Sequence, residues 1–374
     1  MKDRSTHRRS LAALALLGIA VVLGALLWGC SKTPPTAPSS METASGTHVD
    51  MAALRSVMAV QNRHTKDLIQ VPNVVAVGTG LDENGKAVIH VYSESKLAPG
   101  RLPSEIEGVQ VVEIVTGSKI FAMAGGGGVS HTAKQTPPIQ LGTSGSPTQD
   151  IANGFCCGGT LGSLVHKGTT QYILSNSHVL CGDVVSGGNG RVSTIGDDIT
   201  QPGLIDIGCN ASGGQVVADL SSLSTVYPPN STPNVDCAIA QVRAGMVRTD
   251  GAILEVGTIS ATTVGASIGQ HVKKSGRTTG LSRSTITDVN VTVNVGYTDE
   301  CAGNSFTKTY TGQIFIKNRG NKFLNSGDSG SLMVEDVSTN PRAVGLCFAG
   351  GGGIAVANPI GDDLAQLGAS MVGN

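Results

Sequence analysis

From residue 136 to residue 374 the chain is a succession of short apolar runs cut by Gly- and Asp-rich turns. They are "GTLGSLV", "TQYILS", "GQVVADL", "DCAIAQV", "HVKKSG", "STITDVNVTVNV", "TGQIFIK", "SLMVED" and "AVGLCFAG". Runs of this length between turn residues read as strands, and many short strands with few helical stretches make a sandwich or a barrel. Only "IGDDLAQLGAS", near the end, has helical spacing. Glycine supplies 51 of 374 residues and charged residues only 14%, a balance that suits a turn-rich, mainly β protein. A net charge of -1 points to neither nucleic acid nor an anionic membrane surface, and 3% aromatics argue against a platform for stacking bases.

Upstream the organisation changes. Lys2, Arg4, Arg8 and Arg9 precede an apolar run from Leu11 to Trp28, which reads as an export signal or a single membrane anchor, not as part of the fold. It closes with "LLWGC" at Cys30, so residues 1–30 are expected to be a lipoprotein-type signal with Cys30 as the lipidated residue. Residues 31–48 are polar and Pro-rich, a tether. Residues 49–123 combine a helical stretch, "MAALRSVMAVQNRHTKDLI", with strand-like "NVVAVGTGLDENGKAVIHVYSE" and "VQVVEIVTG", and "LPSEIEG" between them reads as a helical turn. This predicts a small α+β domain, joined by a Gly-rich linker at 124–135 to the β-rich domain at 136–374.

Three polar residues in that last domain stand where apolar runs break. Ser329 lies in "FLNSGDSGSLMV", His178 in "YILSNSHVL" and Asp236 in "NVDCAIAQV". Alone, Ser329 and Asp236 are ordinary turn residues and His178 is a structural histidine beside a strand. Together they are a hydroxyl, a base to take its proton and a carboxylate to orient the base, which is what nucleophilic hydroxyl chemistry requires. No HxxxH or similar ligand spacing occurs among the eight histidines, and no metal or cofactor is expected.

The order His–Asp–Ser, with the motifs around it, resembles the chymotrypsin/trypsin-like serine peptidases, and more closely their bacterial branch. "CCGGTLGSLV" and "LSNSHVL" resemble the histidine segment, "VDCAIA" the aspartate segment and "NSGDSGSLMV" the serine turn. "KSGRTTG" resembles a run of bacterial members and "AVGLCFAG" the strand along which substrate lies. The resemblance implies a chymotrypsin-like double β-barrel preceded by the small α+β domain. It implies Ser329 as nucleophile, His178 as general base and acid, Asp236 as its orienting group, and the N–H groups of Gly327 and Ser329 as the oxyanion hole. It also implies that Asp328 is neutralised by an internal cation, assigned to Arg277.

The resemblance also implies that Phe323, six residues before Ser329, and Phe348, Ala349 and Gly350 on the substrate strand line the pocket, favouring a small or apolar side chain. Phe348 stands where most members carry a serine that supports the aspartate. For the cysteines the resemblance suggests Cys157–Cys181, with Cys209–Cys237 and Cys301–Cys347 as further candidates and Cys156 left over. The spacing itself leaves the connectivity open. The functional expectation is an exported, lipid-anchored serine endopeptidase of the cell envelope, taking protein or peptide substrates and touching the membrane through its lipid. The alternative is a weak or inactive homologue that binds peptides or partners in the same cleft.

Overall fold

A computed structural model describes residues 40–42, 48–122, 131–152, 155–182, 193–226, 232, 234–297 and 305–374. Residues 39–374 form one compact unit. The apolar run ending at Cys30 lies outside the described residues, among which no helix is long and apolar enough to cross a membrane.

The chain first forms a helix, α1 (Met51–Ile69), whose N-terminus is capped by the Asp50 carboxylate accepting from the N–H groups of Ala52 and Ala53. Leu54, Val57, Val60 and Leu68 recur at helical spacing and are buried. They pack on β1 (Val74–Leu81) and β2 (Ala87–Ser93), and each such side chain removed from water contributes about 1.5–3 kcal/mol. The expected helical turn at "LPSEIEG" is instead β3 (Glu105–Ile106), hairpinned to β4 (Val109–Val115). Glu107 and Gly108 both take positive φ there, which bends the chain back on itself and rules out a helical turn. A short strand, β5 (Ile120–Ala122), follows.

The first barrel comprises β6 (Thr143–Pro147), β7 (Gly159–Leu161), β8 (Ser163–Lys167), β9 (Thr170–Ser175), β10 (Asp198–Gln201), β11 (Gln215–Leu223) and β12 (Ala238–Val242). Their order is β7-β6-β10-β11-β12-β9-β8. The two ends of that order, β7 and β8, are consecutive in the chain with Gly162 between them, so the sheet curls on itself. A four-residue helix, α2 (Ser177–Leu180), follows β9.

The second barrel comprises β13 (His271–Gly276), β14 (Gly280–Tyr297), β15 (Phe306–Lys317), β16 (Leu332–Glu335), β17 (Ala343–Gly351) and β18 (Ile354–Pro359). The order β13-β16-β17-β18-β15-β14 closes through a further β13–β14 pairing. A helix, α3 (Ile360–Leu367), then leads to β19 (Ser370–Met371), which adds to β8 of the first barrel. The protein is mainly β, with the double-barrel architecture of the chymotrypsin-like fold.

The α+β unit differs from the separate domain that composition suggests. Strand β14 is 18 residues long, and its outer edge pairs with β1, Val289 opposite Thr79 and Val293 opposite Ala76. The sheet of the second barrel therefore runs on without a break into β1, β2, β4 and β3. Buried side chains reinforce the seam. Gln61 of α1 donates to the Asn290 carbonyl at 2.9 Å, and Asp288 accepts from His90 and Tyr92, each at 2.6 Å.

Candidate active site

Strand register brings the first two residues together. Ser175, the last residue of β9, lies opposite Ala238, the first of β12. His178 follows the one by three positions and Asp236 precedes the other by two. The imidazole Nδ1 of His178 meets Asp236 Oδ2 at 2.6 Å. The other carboxylate oxygen accepts from the Ser177 N–H at 2.7 Å and the His178 N–H at 3.3 Å, so the start of α2 clamps the carboxylate.

A fourth donor to Asp236 comes from an unexpected place. The Tyr297 hydroxyl donates to Oδ2 at 2.8 Å and shares a 2.6 Å bond with the Tyr310 hydroxyl. Phe348 brings no hydroxyl to this spot, and the phenol from the end of β14 supplies one. A strand's inward positions alternate, and Val291, Val293, Val295 and Tyr297 are all buried. That alternation was the only sign in the sequence that the phenol points inward. Burial works against the charge of Asp236 and is the largest influence on it. The His178 charge, the His178 bond and the Tyr297 hydroxyl together outweigh burial and hold the carboxyl below its usual range.

Tyr297→Phe should therefore destabilise the fold by about 1.5–3 kcal/mol, the usual contribution of a hydrogen bond to a charged group. The pH dependence of melting gives a separate check. A carboxyl depressed in the fold contributes stability above its unfolded pKa, which is lost as pH falls through the folded value. In Tyr297→Phe that loss should be smaller and complete at a higher pH than in the parent, because the folded-state value moves back toward the unfolded one. Overlapping melting profiles would show that the hydroxyl does not support Asp236.

Ser329 comes from the second barrel, on the turn between Phe323 and β16. Thr160 of β7 grips this turn across the barrel junction. Its N–H donates to the Ser329 carbonyl at 2.8 Å and its Oγ1 to the Gly327 carbonyl at 2.9 Å. Gly327 has φ 95°, and a Cβ there would lie 2.5 Å from Thr278 Oγ1, so no other residue fits. Among the described residues the N–H groups of Gly327 and Ser329 have no intramolecular acceptor. The Ser329 hydroxyl donates to the Phe348 carbonyl at 3.0 Å, and His178 Nε2 is buried without a partner.

The cation assigned to Asp328 is corrected. Arg277 makes a two-pronged pair with Asp206 of the first barrel, at 2.7 and 2.5 Å. The Lys274 ammonium reaches Asp328 Oδ1 at 3.1 Å, both side chains being fully buried. Asp328 also accepts from the N–H groups of Thr278, Thr279 and Asn325 and from the Thr279 hydroxyl. Residue parity explains the difference. Lys274 is an inward position of β13, whereas Arg277 lies beyond the strand's end and points across the junction. Burial pulls the Lys274 ammonium below the usual lysine range, with Asp328 opposing.

Two other expectations are corrected. The Phe323 and Phe348 rings are not free to line an open pocket. Phe323 packs with Leu324, Met333 and Val344, and Phe348 with Tyr310, Phe315 and Val356. A cleft of about 500 Å³ abuts the site through Tyr297 and is lined also by Phe121, Gly296 and Phe306. The cysteine pairing differs throughout. Cys156 is bonded to Cys209, and Cys157 is disulfide-bonded as well, while Cys181, Cys237 and Cys347 are buried free thiols. None of these three can therefore take the bond assigned to it. Burial pushes all three thiols up, Cys347 to about 12, which leaves them inert as nucleophiles. Cys301 lies outside the described residues.

A family model described as the Nal1 C-terminal domain matches residues 234–356. Among solved structures the chain is similar to a glutamic acid specific serine protease reported to use a histidine triad in substrate binding. The identity is 22% over 62% of this chain and 100% of that one, with a TM-score of 0.42. Thermobifida fusca Protease A is 19% identical over 63% of this chain and 99% of its own, at a TM-score of 0.38. An alpha-lytic protease homolog, N4, is 21% identical over 62% and 98%, also at 0.38. No curated protein matches. Likeness at this level says nothing of this chain's chemistry, which rests on its own residues.

Proposed function

We propose that this protein is a serine endopeptidase working through His178, Asp236 and Ser329. The observation that carries the reading is the buried His178–Asp236 pair at 2.6 Å, alongside a Ser329 turn that Thr160 holds at the barrel junction. Rotation of the Ser329 hydroxyl from the Phe348 carbonyl toward Nε2 would complete the relay. Its oxygen then attacks the peptide carbonyl and its proton passes to His178 Nε2. The oxyanion forms against the N–H groups of Gly327 and Ser329, donors typically worth about 2.7–4 kcal/mol each. His178 returns the proton to the departing amine, and water, activated by the same imidazole, releases the acyl group. Asp236 keeps Nδ1 protonated and steadies the imidazolium. Substrates would be proteins or peptides.

The hydroxyl turned to Phe348 favours a second reading, a peptide-binding module with weak or no turnover. The reading extends to an exported, lipid-anchored protein. The Cys156–Cys209 disulfide suits an oxidising compartment, and the "LLWGC" segment suits lipidation at Cys30.

A fluorophosphonate probe on the full chain distinguishes the two. Labelling mapped to Ser329, absent in Ser329→Ala and recovered in the membrane fraction, is expected. Cys30→Ala should release the labelled protein from that fraction. No labelling of a folded parent chain would leave the binding module as the better account.

A further inference from the structure

The edge of β17 next to the nucleophile is already occupied by the chain itself. The Phe348 carbonyl accepts from Ser329 Oγ at 3.0 Å, so residues 348–350 lead directly away from the nucleophile. Strand β5 pairs antiparallel with this edge, Ala122 opposite Ala349 and Phe121 opposite Gly350. On its other side β5 runs parallel to β14, Ile120 opposite Val295 and Phe121 opposite Gly296. Each step toward the C-terminal end of β5 moves one residue closer to Phe348 and Ser329. A peptide presenting its carbonyl to Ser329 would have to run in that same direction.

The second barrel does not need this strand. It closes through β13-β16-β17-β18-β15-β14 with β5 outside the circuit. The slot between β14 and β17 is nonetheless shaped for an extended backbone. A Cβ on Gly351 would lie 2.5 Å from the Lys119 carbonyl, and one on Gly296 3.0 Å from the Phe121 ring. Side chains at these positions would push the segment out. Ser329 is fully buried, and the catalytic nitrogen of His178 is buried without a partner.

We infer that β5 is an internal pseudo-substrate, which fills the strand-binding slot for the acyl side of a peptide and holds the protein latent until it leaves. The inference rests on the reading of Ser329 and His178 as a hydrolase site. An extended peptide substrate must displace β5, so its apparent affinity is reduced by the fraction of chains whose slot is empty. A small ester that uses only the nucleophile and oxyanion hole needs no slot.

Phe121→Pro in the full chain removes an N–H from the middle of β5 and disfavours the pairing. On a tripeptide anilide its kcat/KM should rise about tenfold or more, following the emptied slot, with p-nitrophenyl acetate turnover unchanged. Ester turnover present in both chains with no gain on the anilide overturns this inference alone. Absence of both ester turnover and fluorophosphonate labelling overturns the hydrolase reading and the inference with it. Hydrogen exchange on the parent chain decides the matter should Phe121→Pro not fold. A tripeptide boronic acid should strip protection from the amides of 120–122 while β15 and β18 keep theirs. Protection retained at β5 with the boronic acid bound would place the peptide elsewhere and end the proposal.

Discussion

Asp236→Asn should lower kcat on p-nitrophenyl acetate about ten-thousandfold while leaving the melting temperature close to the parent's, the loss expected when a triad imidazole is held in the wrong tautomer. The reason lies in which atoms Asp236 offers. Its Oδ1 accepts from the N–H groups of Ser177 and His178, and an asparagine oxygen can keep both bonds. The asparagine NH2 then faces His178 Nδ1, where the carboxylate had accepted at 2.6 Å. Two donors cannot share that contact, so the proton moves to Nε2 and the imidazole can no longer receive one from Ser329. The Tyr297 hydroxyl, whose one proton goes to Asp236 in the parent, can turn to accept from the new NH2 and donate to Tyr310 instead of accepting from it, so both contacts are kept with their directions reversed. Comparison of kcat with melting temperature checks the claim. A variant within tenfold of the parent would mean that Asp236 only packs, and that another group orients His178.

The parts of this site legible in the sequence are those carried by local pattern. His178, Asp236 and Ser329 each interrupt an apolar run, and register between β9 and β12 turns two such interruptions into neighbours. The strands and both barrels follow from alternation and turn residues in the same way. Long-range choices were not legible. Lys274 and Arg277 sit three residues apart in a run whose composition does not say which side chain turns inward, and the partner of Arg277 is Asp206, 71 positions away. Tyr297 substitutes for a hydroxyl that Phe348 lacks, from a different strand of the same barrel. Cys156 and Cys157 are adjacent, so a one-residue difference in backbone direction decides which of them faces Cys209. Strand β5 is three residues long and looks like linker, because what makes it a strand is the slot between β14 and β17.

The largest stability effect is expected at the buried pair below the serine turn. Lys274→Met leaves Asp328 fully buried with hydrogen-bond donors but no opposing charge, and breaking one side of such a pair typically costs about 3–5 kcal/mol. The turn it supports carries Ser329 and the N–H groups proposed to meet the oxyanion, so probe labelling should fall with the melting temperature. Arg277→Gln also breaks a buried pair, with Asp206, and destabilises on its own account. Single variants therefore do not separate the two cations, and double-mutant cycles with Asp328→Asn do. Removing the charge of Asp328 should offset much of the cost of Lys274→Met, because the stranded carboxylate is what makes that variant costly. It should offset little of the cost of Arg277→Gln, whose orphan is Asp206. Contacting residues typically couple by about 0.5–3 kcal/mol and independent ones add within about 0.3–0.5. Urea denaturation of the parent, three single variants and two double variants measures both couplings. A larger coupling of Asp328 to Arg277 than to Lys274 would return the role to the arginine and would mean that the Lys274 ammonium is held by the Thr279 hydroxyl and the Gly280 carbonyl.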